Sequence, residues 1–216
     1  MGLIAIGDIH GCHTALESLL DELSPHPSDQ LVFVGDYIDR GPASKEVIDR
    51  LLELRERYDC IFLRGNHEAM MLDYLNGQNF SLWQMNGGVE TLESYAADGS
   101  TNIPEEHREF LADTRIYHET EEFFFVHGGL KPNISIAENK DRHGEDVFLW
   151  ERGHLEARML AWEKTVVCGH TPQPQPIDRP KLICIDTGCV FAPRFGQGSL
   201  TAVRLPERKW ISVNCL

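Results

Sequence analysis

The chain has no apolar run near the roughly 20 residues that a membrane helix requires, and no charged leader precedes a hydrophobic segment at its start. "MGLIAIGD" reaches its polar end within eight residues. A cytoplasmic protein without a membrane partner is expected. Basic residues are also few, 20 against 34 acidic ones, for a formal charge of -14. That balance opposes non-specific binding to DNA, RNA or anionic lipid, so no nucleic-acid partner is expected. Close CxxC pairs are missing among the six cysteines at 12, 60, 168, 184, 189 and 215. Cys60, Cys168 and Cys184 lie in apolar runs and read as small core residues in a reducing compartment. Internal repeats and low-complexity tails are lacking too. What remains is 216 residues with an ordinary 42% hydrophobic fraction. That is enough for one substantial core, and a single domain over 1–216, read as a monomer, is expected.

The run "LIAI" at 3–6 has the form of a strand covered on both faces. A helix follows, with Thr14 and Glu17 fitting a capping box and Leu16, Leu19, Leu20 and Leu23 forming its stripe. "QLVFVGDYIDRGP" repeats the strand, Ser44 fits the cap of a second helix, and "CIFLRGNHE" is a third strand. Two strand–helix–strand units argue for parallel pairing and an α/β class. Residues 78–113 are mostly helical in pattern, broken at "NGG". "TRIYHETEEFFFVHGG" reads as a hairpin, and short strands dominate after it. Two packed mixed β-sheets flanked by helices fit this order. The stretch 131–146, polar and aperiodic, reads as a mobile surface loop.

Six strand ends carry the chemistry: "AIGDIHG", "FVGDYIDRG", "FLRGNHE", "FVHGG", "VCGHTP" and "CIDTG". The first five deliver Asp, Asn or His beside glycine, which permits close backbone approach. Asp8 and His10 point the same way if the chain is extended there. Asp36, Asn66, His127 and His170 complete a set of hard or borderline ligands without a thiolate. Such a set suits Mn²⁺, Fe²⁺ or Zn²⁺. Six ligands exceed one tetrahedral site and fit two divalent ions sharing a carboxylate. His67 should point away from its neighbour Asn66, towards substrate. Arg40 and Arg64 adjoin the ligands, and their planar forks match phosphate oxygens. Any one of these residues alone would be ordinary turn chemistry; the convergence is what argues for a site. The other histidines, at 13, 26, 107, 118, 143 and 154, read as surface or capping residues.

GDxHG at 7–11, GDYIDRG at 35–41, RGNHE at 64–68, HGG at 127–129 and GHTP at 169–172 resemble the phosphoprotein phosphatase family of metallophosphoesterases. "NGGVETLESY" at 86–95 and the ending "DTGCVFAPRFGQGSLTAVRLP" resemble its bacterial branch. The resemblance implies a sandwich of two sheets around a dinuclear centre, most simply with Mn²⁺. It implies Asp8, His10 and Asp36 on one ion, and the bridging Asp36 with Asn66, His127 and His170 on the other. It also implies His67 with Asp39 as an acid–base couple and Arg40, Arg64 and Arg152 as phosphate contacts. A late-loop aromatic has no clear counterpart; Phe191 and Phe195 are the nearest.

Direct hydrolysis by water activated between the two ions is then expected, with His67 as proton donor and no phosphoenzyme. The resembling branch includes small serine/threonine and tyrosine protein phosphatases and symmetrical dinucleoside tetraphosphate hydrolases. In 131–146, Lys131, Lys140 and Arg142 are offset by Glu138, Asp141, Glu145 and Asp146. That weakens the case for a tetraphosphate, and a phosphoprotein substrate is preferred. A non-catalytic phosphate-binding protein is disfavoured because binding alone needs no His67–Asp39 pair. A nuclease is disfavoured by the charge.

Overall fold

In the computed structural model, residues 2–96, 102–192 and 198–215 are described. The three early apolar runs form β1 (Leu3–Ile6), β2 (Gln30–Phe33) and β3 (Asp59–Phe62), all parallel. Parallel neighbours need long crossovers, supplied by α1 (His13–Leu23) and α2 (Ser44–Arg57). The α1 leucine stripe is buried as its spacing requires. Neither proposed cap forms. Thr14 lies inside α1 behind Cys12, and Ser44 is the first residue of α2, its hydroxyl turned instead to the Asp39 amide.

After β3 come α3 (Asn66–Leu75), α4 (Phe80–Trp83) and α5 (Val89–Ala96), with a wide turn at Gln84–Gly88 joining the last two, then α6 (Glu105–Ala112). The second half gives the hairpin β4 (Tyr117–Glu119) and β5 (Phe123–Val126), and then α7 (Ile136–Arg142) and α8 (Glu145–Trp150). Short strands follow: β6 (Thr165–Cys168), β7 (Ile177–Arg179), β8 (Leu182–Cys184) and β9 (Asp186–Thr187). The chain ends in β10 (Ser199–Leu205) and β11 (Lys209–Asn214). Two mixed sheets result, ordered β11-β10-β1-β2-β3, with β9 on β10, and β4-β5-β6-β8-β7.

Alternation along the strands builds the layers. Ala5, Val32 and Ile61 face Phe123, Phe125, Val167 and Ile183 between the sheets. Ile4, Ile6, Leu31 and Phe33 pack outward with α1 and α2, while Phe124, Val126 and Val166 pack on the far side with Phe148 and Trp162.

Three further sequence expectations fail. The 131–146 stretch is not a loop: Ser135 and Glu138 close a capping box at the start of α7, and buried Ile136 and Asn139 anchor that helix. His107 and His154 are buried rather than superficial. Cys189 and Cys215 form a disulfide, leaving Cys12, Cys60, Cys168 and Cys184 free. Among the described residues no helix is long and apolar enough to cross a membrane.

Candidate active site

The parallel strands end at one edge of the sandwich, and the turns beyond them are bent hard. His10, Asp36, Asp39, Arg40 and His170 all have positive φ, between 48° and 73°. Each such residue costs about 1–3 kcal/mol and persists only where its surroundings fix it. The packing is close enough to require glycine: a Cβ on Gly169 would lie 2.0 Å from Asp8 Oδ1.

His10, Asp36 and His67 bring ligand atoms within 4.8 Å of one another, and so do Asp36, His127 and His170. Asp36 belongs to both groups. His10 Nδ1 donates to Ile38 O at 2.8 Å, which leaves the lone pair of Nε2 facing Asp36 Oδ2 at 3.4 Å. His127 Nδ1 donates likewise to Val34 O at 2.9 Å, aiming Nε2 at Asp36 Oδ1 (3.3 Å) and Asn66 Oδ1 (3.0 Å). His170 Nδ1 lies 2.7 Å from the same Asn66 oxygen. Asp8 Oδ2 accepts the His170 amide at 2.8 Å, while its buried Oδ1 has no hydrogen-bond partner among the described residues.

Acceptors and carboxylates thus converge on one small volume. Burial, then Asp186, then Asp36 push Asp8 well above the usual carboxylate range. Burial opposes the charge of Asp36 too, but His127, His67 and His10 outweigh it and hold its carboxyl well below that range. Converging lone pairs and buried carboxylates of this kind fit divalent cations held by nitrogen and oxygen. Asp186 had its signal in the sixth strand end, "CIDTG", and sequence reasoning assigned it no role.

Asn66 and His67 are the first two residues of α3, not an extended pair. They diverge by about 100° around the helix axis, so His67 still faces away from its neighbour's target. Its Nδ1 is 2.6 Å from Asp39 Oδ2, and its buried Nε2 has no hydrogen-bond partner among the described residues. Burial depresses the affinity of His67 for a second proton and pushes Asp39 up to about 7. Beneath them Glu68, fully buried, accepts the amides of Gly65, Asp36 and Tyr37, each at 2.8 Å.

The three arginines differ. Arg40 Nη1 donates to His10 Nε2 at 2.7 Å and Arg152 Nε to His170 Nε2 at 2.9 Å, so both stand at the centre. Arg64 turns to the 112–114 turn, donating to Ala112 O, Thr114 O and Thr114 Oγ1. Phe191 lies 5.6 Å from the Arg40 guanidinium; Phe195 lies outside the described residues. The half-exposed Trp150 meets the His170 ring edge-on at 5.7 Å.

Residues 1–193 match the calcineurin-like phosphoesterase family. The chain belongs to that family. This phosphoesterase is 29% identical over 235 residues to the asymmetrical bis(5'-nucleosyl)-tetraphosphatase PrpE of Halalkalibacterium halodurans, covering 96% of this chain and 92% of that protein. It is 27% identical over 281 residues to the symmetrical bis(5'-nucleosyl)-tetraphosphatase of Nitrosomonas europaea, covering 100% and 99%. A solved structure of a candidate diadenosine tetraphosphatase superimposes with a TM-score of 0.71 at 27% identity, covering 98% of this phosphoesterase and 92% of that chain.

Proposed function

We propose that this phosphoesterase hydrolyses dinucleoside tetraphosphates, using two divalent ions held by Asp8, His10 and Asp36 and by Asp36, Asn66, His127 and His170. The observation that carries the substrate class is near full-length similarity to two tetraphosphatases. The charge argument for a phosphoprotein loses its force, because Lys131 pairs with Glu151, Lys140 with Glu119 and Arg142 with Glu138. Those charges neutralise one another and do not describe the centre. Flat apolar surfaces suited to bases adjoin it instead: Trp150, and a cavity of about 390 Å³ lined by Pro172, Pro174 and Phe191 among others.

When bound, such ions polarise a phosphoryl oxygen and acidify a water. Arg40 and Arg152 bind and orient the phosphate oxygens, while His67, held through Nδ1 by Asp39, passes a proton from Nε2 to the departing oxygen. A phosphoanhydride leaving group needs that proton less than an alkoxide does, so His67 matters most on monoesters.

The test is kcat/KM for diadenosine tetraphosphate and a phosphothreonine peptide side by side, with Mn²⁺. The dinucleotide is expected to lead by about 100-fold, roughly 2.7 kcal/mol. ADP alone marks symmetrical cleavage; AMP with ATP marks asymmetrical cleavage. A preference for the peptide overturns the proposal.

A further inference from the structure

Asp39 is the most heavily bonded carboxylate next to the centre, and its partners come from a segment with no part in metal binding. Trp83, fully buried at the end of α4, donates its indole N–H to Asp39 Oδ2 at 2.9 Å and Oδ1 at 3.0 Å. Thr91, fully buried in α5, donates its hydroxyl to Asp39 Oδ1 at 2.7 Å and accepts the Asp39 amide at 2.9 Å. Ser44 Oγ accepts that amide as well, at 3.1 Å, and lies 3.0 Å from Thr91 Oγ1. Between Trp83 and Thr91, Gly87 O accepts the Arg40 amide at 3.1 Å. Gly87 has φ 106°, and a Cβ there would lie 2.7 Å from Arg40 N. The sequence W-x-x-x-G-G-x-x-T from 83 to 91 therefore grips two consecutive residues, Asp39 and Arg40, which both hold a left-handed backbone.

The chemistry of the grip is specific. With the Trp83 indole shared between both oxygens and the Thr91 hydroxyl on Oδ1, Asp39 has one direction left for His67, whose Nδ1–H it accepts at 2.6 Å. That commits Nδ1–H to Asp39 and leaves Nε2 as the nitrogen that takes up a proton and passes it on. A hydrophobic wall would bury the same area without controlling either. The Trp83 ring is itself seated, stacked on Tyr74 at 4.6 Å and with Gly88 packed too closely against it for any Cβ.

We propose that Trp83 and Thr91 are positioning residues for the His67–Asp39 pair, the Trp83–Thr91 segment acting as a clamp that sets which nitrogen of His67 faces the phosphoester. This rests on the hydrolase reading of the same centre but is separable from it.

The test compares Trp83→Phe, Thr91→Val and Thr91→Ser on phenyl phosphate and p-nitrophenyl phosphate with Mn²⁺. Loss of an ordered proton donor should lower kcat for the poorer leaving group by about 10- to 100-fold and for p-nitrophenyl phosphate by less than about 3-fold, with KM little changed. Thr91→Ser keeps the hydroxyl and should restore kcat to near the wild-type value. Nitrogen-15 spectra of the histidine-labelled protein give a readout free of turnover. The downfield Nδ1–H resonance assigned through His67→Asn should broaden or move in W83F and T91V and persist in T91S. Equal losses on both substrates, or an unmoved resonance, overturn the clamp. An inert wild type with the resonance shifting as described would instead sink the hydrolase reading and leave the clamp standing.

Discussion

Replacing Glu68 with glutamine should weaken both the fold and the grip on metal. The carboxylate has no exposure and accepts three backbone N–H groups, from Gly65 and Asp36 on Oε2 and from Tyr37 on Oε1. A carboxamide offers one acceptor oxygen. Placed at Oε2 it keeps two bonds, but its NH₂ then faces the Tyr37 amide, which is left unpaired. A bond to a charged acceptor is worth about 1.5–3 kcal/mol, and each surviving bond, now neutral, loses about half of that. The gross loss is roughly 3–6 kcal/mol. Burial and, secondarily, Asp36 raise the Glu68 pKa to about 7, so the native carboxylate already carries a desolvation cost, and the lower end, about 3 kcal/mol, is expected. That is a large share of the roughly 5–15 kcal/mol that holds a typical domain together. The two weakened bonds are those to the amides of Asp36 and of Gly65, which precedes Asn66, so the loss reaches both proposed ion sites. Urea unfolding should show the drop, and calorimetry should find about two Mn²⁺ equivalents on the wild type but weakened uptake on E68Q. A variant within about 0.5 kcal/mol of wild type, with unchanged metal uptake, would refute the reasoning.

Two further outcomes test features outside the centre. The Cys189–Cys215 bridge, 26 residues apart in sequence, closes a loop worth about 3.5 kcal/mol of chain entropy. Reduction should lower the urea midpoint accordingly, and six reactive thiols in unreduced, unfolded protein would disprove the bridge. Burial, with Glu151 opposing and Arg179 assisting, lowers the His154 pKa to about 4. The unfolded chain then binds a proton that the folded chain refuses, so stability falls as pH drops from about 6.5 through about 4, by about 3 kcal/mol in all. His154→Gln should flatten that part of the profile, and parallel profiles for the two proteins would refute it.

The sheets and the cluster of polar strand ends were legible because each strand is a short apolar run stopped by glycine and a polar residue, a signal confined to a few adjacent residues. The Trp83 and Thr91 contacts were not, since they join positions 44 and 52 residues apart and look like ordinary members of amphipathic helices. The helices of 136–150 escaped notice because each is short and exposes most of its length, leaving almost no apolar period to read. His10 sits in a turn at positive φ, so the alternation of a strand does not relate it to Asp8. No spacing rule could pair Cys189 with Cys215, and 131–146 misled because counting charges ignores which partner each one meets.

Of the six presumed ligands, Asp8, His10, Asp36 and Asn66 leave the first sheet, while His127 and His170 follow β5 and β6 of the second. β1, made first, lies between β2 and β10, so one of its edges stays open until residues near Leu205 arrive to pair with Leu3. During synthesis, where chains fold as they emerge, the reactive centre is therefore among the last things to exist. A nascent chain can assemble its first three strands and still lack the second half of its centre. Activity of this kind is a certificate of completion: it appears only when both sheets have met.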